Sequence, residues 1–206
     1  LSIDADNNLG AAPGAVNPNH LTLNGGTLEV TDNVTLDPNR GLAVAAGGGT
    51  FDVDAGTTLS YGGVIAGSGG VTKTDTGTLT LSGDNTYAGG TTISGGTLTV
   101  EGATAKAGTG VIDVAAGILN INDTATLNNQ VQITSGTIGN TSGAGTLTGN
   151  VTLNGNANLS STTGSDLTID GVISQSTNTY TVTKTGGGTV VLSGTNTYTG
   201  DTTINA

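Results

Sequence analysis

Cysteine, methionine and tryptophan are all absent from this chain of 206 residues. Without cysteine there is no disulfide framework and no thiolate metal centre. The single histidine, His20, offers little from which to assemble a His-dependent catalytic triad. It follows the turn-like Asn17-Pro18-Asn19 and is expected in an exposed loop. Aromatics make up 2% of the chain and apolar residues 33%, too little for a thick globular core. No apolar run approaches the ~18 residues of a membrane-spanning helix. Cations are scarce as well: Arg40, Lys73, Lys106 and Lys184 stand against 15 acidic residues, for a net charge of −11. The acids are scattered singly. Such a surface repels phosphate backbones, so no nucleic-acid partner is expected, and it favours solubility. No signal-peptide pattern is present. The start at Leu1, without Met, gives the expectation of a piece of a longer polypeptide.

Helix signals are missing too. No window carries an apolar period of 3.6, and 37 glycines punctuate the chain too often for helices to persist. What is present is strand. Thr78-Leu79-Thr80-Leu81, Thr97-Leu98-Thr99-Val100, Leu119-Asn120-Ile121 and Val151-Thr152-Leu153 alternate polar with apolar, which puts Leu and Val on one face and Thr on the other. Gly, Asn, Asp and Ser separate these runs, as turns require. A Gly-Thr-apolar motif starts at Gly26, Gly49, Gly77, Gly96, Gly136, Gly145 and Gly188. Several of its spacings, such as Gly26 to Gly49 and Gly77 to Gly96, are close to one coil of a β-helix.

A longer segment occurs twice. Residues 77–93 read GTLTLSGDNTYAGGTTI and residues 188–204 read GTVVLSGTNTYTGDTTI, a constant offset of 111. Weaker parallels extend it: residues 1–4 with 98–101 (offset 97), 26–32 with 117–123 (offset 91), and 56–65 with 164–173 (offset 108). Drifting offsets place insertions in the loops between coils. A long period built from short strands marks a solenoid. The expected fold is all-β, a parallel β-helix of about ten coils at roughly twenty residues each, about 50 Å long at about 4.8 Å per coil. Two tandem units are expected, residues 1–97 and 98–206, as one continuous solenoid within a longer array. Inward Leu, Val and Ile then form columns one side chain wide, and outward Thr suits a pleated surface. Lys73 and Lys184 are read as solvated repeat positions.

Residues 70–98 (GVTKTDTGTLTLSGDNTYAGGTTISGGTL) resemble the autotransporter-associated β-strand repeat, also called the passenger-associated transport repeat. The match includes Lys73-Thr74, Gly77 to Gly83, Asn85-Thr86-Tyr87 and Gly90 to Ile93. The second copy keeps Lys184-Thr185, Leu192 to Gly194, Asn196-Thr197-Tyr198 and Thr202 to Ile204, and departs at Asp201, where the first has Gly90. This resemblance implies a right-handed parallel β-helix in the passenger of a secreted bacterial surface protein of the type V route. It also implies a link to efficient export, and an outer-membrane β-barrel as partner elsewhere in the full-length protein. The family signature carries no catalytic residue.

Other constellations fail on their own chemistry. Asp4, Asp6 and Asn8 are spaced like the start of a calcium loop, but Leu9 stands where Gly is needed and Ala15 where Glu is needed. Residues 47–52 (GGGTFD) partly match a calcium β-roll, with Thr50 in place of a glycine and no recurrence. Ala66-Gly67-Ser68-Gly69-Gly70 lacks the first glycine of a nucleophile elbow, and Lys73-Thr74 lacks the preceding glycine of a P-loop. Asp52 and Asp54 share a strand parity and form a weak carboxylate pair, more simply two surface acids. Glu29 and Glu101 lie far apart in the chain. No catalytic, cofactor-binding or metal-ligating residue is assigned. The chain is read as a non-enzymatic, extracellular β-helical segment of a bacterial surface protein, an adhesin stalk or fibre element. Its expected partners are further copies of the repeat in the longer chain, with self-association into fibres open. A passenger export and folding module, and a polysaccharide-cleaving β-helix, are the alternatives.

Overall fold

A computed structural model describes residues 1–205. Short strands of two to seven residues succeed one another along the chain, with a single 3-10 turn at Asp6–Leu9. Every registered strand pair is parallel, and each strand bonds to the equivalent strand one coil away. The result is a β-solenoid with three faces. The first and second faces are continuous sheets of nine strands each, so the rod has about nine coils, close to the ten expected. The third face is carried by a three-stranded sheet toward the N-terminus and a four-stranded sheet toward the C-terminus, with an isolated bridge from Asp84 to Lys106 between them. Among the described residues no helix is long and apolar enough to cross a membrane.

Alternation produces the core as the pattern predicts. On the second face Leu59, Leu79, Leu98, Leu119, Ile138 and Leu159 stack in register, and all are buried. On the first face Leu28, Phe51, Ile93, Val114, Ile133 and Leu153 lie in one column, buried likewise. Each such side chain contributes roughly 1.5–3 kcal/mol by leaving water. Outward positions between them hold Thr, Ser, Asp and Asn. Thr58, Thr78 and Thr97, for example, stand over one another.

Coils differ in length, and the turns absorb the difference. On the first face the register partners Gly26 and Gly49 are farther apart in the chain than the partners Ile112 and Val131, and Ser2 and Glu29 farther still. In the first coil the second-face position is taken by the 3-10 turn rather than a strand, and that sheet starts at Val34–Leu36.

Candidate functional site

The repeated segment is where sequence and geometry meet. In its first copy Val71–Thr74 lies on the first face, between strands Gly49–Val53 and Thr91–Ile93. Strict alternation sends Val71 and Lys73 inward and Thr72 and Thr74 outward. Lys73 therefore sits in the apolar column itself, registered between Phe51 and Ile93, and is fully buried. The reading of Lys73 as a solvated position is thus corrected: backbone parity decides which way it points, and its length lets the ammonium reach polar atoms from inside. Nζ donates to the carbonyls of Thr74 (2.5 Å) and Asp75 (2.9 Å), holding the turn that leaves the first face. Burial pushes the ammonium down to about 8, against the pull of the Asp75 and Asp52 carboxylates. Asp75 takes a left-handed backbone, φ 55°; its side-chain oxygen accepts from the Thr76 amide at 2.6 Å.

Two further groups lock the next corner. Asn85, fully buried, accepts from the Ile65 amide one coil back (2.7 Å) and donates to the Gly83 (3.1 Å) and Lys106 (2.7 Å) carbonyls, so one amide side chain bonds three successive coils. The Tyr87 hydroxyl shares a 2.6 Å hydrogen bond with Thr91 Oγ1. The same burial pushes the Tyr87 phenol well above its ordinary range. Gly83 is required by space alone, since a Cβ there would stand 1.9 Å from the Gly63 carbonyl oxygen.

The second copy repeats one contact of each of these three residues. Lys184 lies inward on the second face, in register between Leu159 and Ile204, and its Nζ donates to the Gly186 carbonyl. Gly186 stands where Asp75 does and is also left-handed, φ 78°. Asn196 accepts from the Ile173 amide at 2.8 Å, and the Tyr198 hydroxyl meets Thr202 Oγ1 at 2.7 Å. Lys184, too, is corrected from a solvated to an inward position, half-buried. At Asp201 the backbone is not left-handed, whereas Gly90 has φ 84°, which is why a non-glycine is tolerated there.

The two copies do not share a face. Val71–Thr74 belongs to the first face and Val182–Thr185 to the second. Every weaker parallel is displaced the same way: Gly26–Val30 is on the first face and Gly117–Asn122 on the second, while Thr58–Tyr61 is on the second and Asp166–Ile169 on the third. The rise in offset from 91 to 108 is one whole additional coil, not an insertion in a loop, because four coils and one face separate the first pair and five coils and one face the second.

The remaining candidates resolve as follows. Asp52 Oδ1 accepts from the Thr74 hydroxyl at 2.8 Å, and its register neighbour is Glu29, a stacked pair of acids that the sequence separation conceals. Asp54 lies just past the strand end. His20 is half-buried on strand Asn17–Leu23 rather than in an exposed loop, with Nδ1 3.4 Å from Arg40 Nη1. Arg40 is 1% exposed. It pairs with Asp6 (Nε to Oδ1 2.7 Å, Nη2 to Oδ2 3.0 Å) and donates to the Leu9 and Gly10 carbonyls at 3.2 and 2.5 Å, pinning the 3-10 turn to the rod. Arg40 beside it holds the Asp6 carboxyl below its ordinary value. No sequence signal marks this partner for Arg40. A shallow groove of about 330 Å³ follows the corner between the third and first faces past Gly48, Gly70 and Gly90, with Thr50, Thr72 and Thr92 alongside. Its amides are spent on coil-to-coil bonds, such as Gly49 to Gly70 (3.0 Å) and Val71 to Gly90 (3.0 Å). Among the described residues no three His, Cys, Asp or Glu side chains gather where they could hold a metal ion.

Comparison with known proteins agrees with this geometry. The family model of the passenger-associated-transport-repeat matches residues 71–100 and 182–206, the two segments that bear the inward lysines. The whole chain aligns at 36% identity over 223 residues with a protein named adhesin BmaC autotransporter, from Brucella suis biovar 1 (strain 1330). The chain spans 6% of the length of that relative. No solved structure matches it. Residues 71–100 and 182–206 are thus two copies of the passenger-associated-transport-repeat, carried on a β-solenoid whose sequence is similar to a short stretch of an autotransporter adhesin.

Proposed function

We propose that this chain is a non-enzymatic stalk segment of an extracellular bacterial surface protein, a spacer that displays or extends an adhesive passenger. One observation carries the reading: the residues that define the repeat point into the rod. Lys73, Asn85 and Tyr87 are fully buried and bond to backbone or to a neighbouring hydroxyl. A motif that turns its polar groups inward serves the rod's integrity, and the two copies face different directions, so they cannot together form one docking face. The autotransporter relative, far longer than this chain, supports placement at the cell surface after export. In this reading residues 1–97 and 98–206 are successive units of one array, further copies continue it, and an outer-membrane β-barrel elsewhere in the full-length protein delivers it.

The test is to shorten the array in the full-length protein by removing residues 71–181, which takes out one spacing of the signature and leaves one copy. A stalk predicts continued export with a shorter reach of the distal region from the cell surface. Loss of adhesion at unchanged export and reach would instead assign binding to this segment. A second reading, the export and folding module, is favoured by the hydrogen bonds that Lys73 and Tyr87 make within the signature itself. It predicts that the loss of one copy lowers the surface amount of the protein while leaving adhesion per exported molecule unchanged.

A further inference from the structure

The turns of this solenoid do not set its register. On the same first face they close a long coil from Gly26 to Gly49 and a shorter one from Ile112 to Val131. Columns of Leu, Ile and Val meeting Leu, Ile and Val are nearly degenerate as well. A strand that slips by two residues keeps its inward and outward faces and loses little packing, and Gly-Thr-apolar runs on neighbouring coils offer the same partners after the slip. Something directional must choose among these registers. Buried polar groups do so in other repetitive cores, because a slip leaves them unpaired at a cost far above that of a mismatched methyl.

We propose that the asparagine of the repeated signature is a register pin: Asn85, and in the second copy Asn196, hold their coils against slippage through bonds to neighbouring coils that exist in one register only. Asn85 is the more stringent, since it accepts from Ile65 in the coil before and donates to Lys106 in the coil after, and both must be aligned at once. Lys73 and Tyr87 bond within their own coil, to Thr74, Asp75 and Thr91, and hold its turns. The pin works on any face: the asparagine accepts from the isoleucine amide one coil back in both copies (Ile65, Ile173), on faces one step apart. This role goes beyond the stalk reading and does not depend on it.

The chain has no cysteine, so introduced pairs report register directly. Thr72 and Thr92 are outward register partners, within the reach of a disulfide. Thr72 and Ser94 lie about 8 Å apart in the native register, one coil up and two residues along, beyond that reach. They come opposite each other only after a slip of two. In the parent protein the Thr72→Cys/Thr92→Cys pair closes and the Thr72→Cys/Ser94→Cys pair does not. In Asn85→Leu, which keeps the site filled with apolar atoms, the slipped pair is expected to rise by roughly tenfold or more, the shift produced by about 1.4 kcal/mol of lost register preference. Ile93→Val, a loss of packing on the strand that carries the reporter pair, leaves the slipped pair at the parent level. The proposal is overturned if Asn85→Leu keeps parent β-sheet circular dichroism and still closes only the Thr72–Thr92 pair. If that variant loses its sheet signal, Asn85→Asp, which keeps the acceptor for Ile65 and loses the amide donor to Lys106, decides: slipped cross-links support the pin, and their absence overturns it.

Discussion

Residues 71–93 and 182–204 carry the same motif in different surroundings. Lys73, Asn85 and Tyr87 are fully buried by coils on both sides, whereas Lys184, Asn196 and Tyr198 are half-buried and Thr202–Ile204 is exposed. The faces differ as well, first against second. The contacts nevertheless agree: 2.6 against 2.7 Å for tyrosine to threonine, and 2.7 against 2.8 Å for the isoleucine amide to asparagine. Geometry that survives a change of face and of burial is set by the segment and the coil it rests on, not by the face it occupies. Burial changes only how much each contact is worth, because an unpaired polar group or an emptied site costs most where water cannot reach it.

That difference can be broken by truncation. Tyr87→Ala removes a fully buried ring and is expected to cost about 3–5 kcal/mol in urea unfolding, while Tyr198→Ala, half in solvent, costs about 1 kcal/mol or less. Equal losses would show that exposure does not separate the copies. Next in size, Asn85→Ala leaves the buried Ile65 amide unpaired and costs roughly 1–3 kcal/mol. Asn196→Ala costs less than half of that, since water replaces the lost acceptor.

Alkaline pH sharpens the comparison further. The unfolded chain keeps the Lys73 proton up to 10.5 and the folded chain only to about 8, so unfolding takes up a proton in that window and stability rises with pH from about 8 toward 10. The slope is at most about 1.4 kcal/mol per pH unit. Above the ordinary phenol value of 10.0 the sign reverses: burial pushes Tyr61 to about 12 and Tyr87 higher still, the unfolded chain ionises first, and stability falls. Urea unfolding across pH 7–11 should show the rise and then the fall, and Lys73→Met should abolish the rise alone. The smallest effect belongs to the exposed pair Asp84–Lys106, 2.6 Å apart. Lys106→Ala should cost under about 1 kcal/mol, and the difference should vanish at high salt.

Much of this fold is legible in the sequence. Period-two alternation and glycine punctuation specify stacked strands, and the register columns Leu79–Leu98 and Thr78–Thr97 are the Gly-Thr-Leu motif read down the rod. Lys73 misleads because its charge suggests solvent while its parity does not: in Val71-Thr72-Lys73-Thr74 the lysine shares the parity of the inward valine. The advance of one face between copies is hidden because coil length varies, as between the coil from Gly26 to Gly49 and the coil from Ile112 to Val131. An offset of 111 then does not reveal a fraction of a coil. Long-range partners leave no local trace either. Arg40 finds Asp6 in the preceding coil, and Glu29 stacks on Asp52 one coil away, contacts that only the closure of a particular coil creates. His20 follows Asn17-Pro18-Asn19, a run that reads as a loop, yet that run opens a strand bonded to the next coil.

The most direct measurement is amide hydrogen exchange at Ile65 and Ile173 in the parent protein, in Asn85→Ala and in Asn196→Ala. If each asparagine is a local clamp, exchange at Ile65 accelerates only in Asn85→Ala and exchange at Ile173 only in Asn196→Ala, with the larger change at the buried Ile65. Unchanged exchange at both amides, or acceleration of both by either substitution, would contradict a signature whose asparagine clamps the preceding coil in the same way on two faces of the rod.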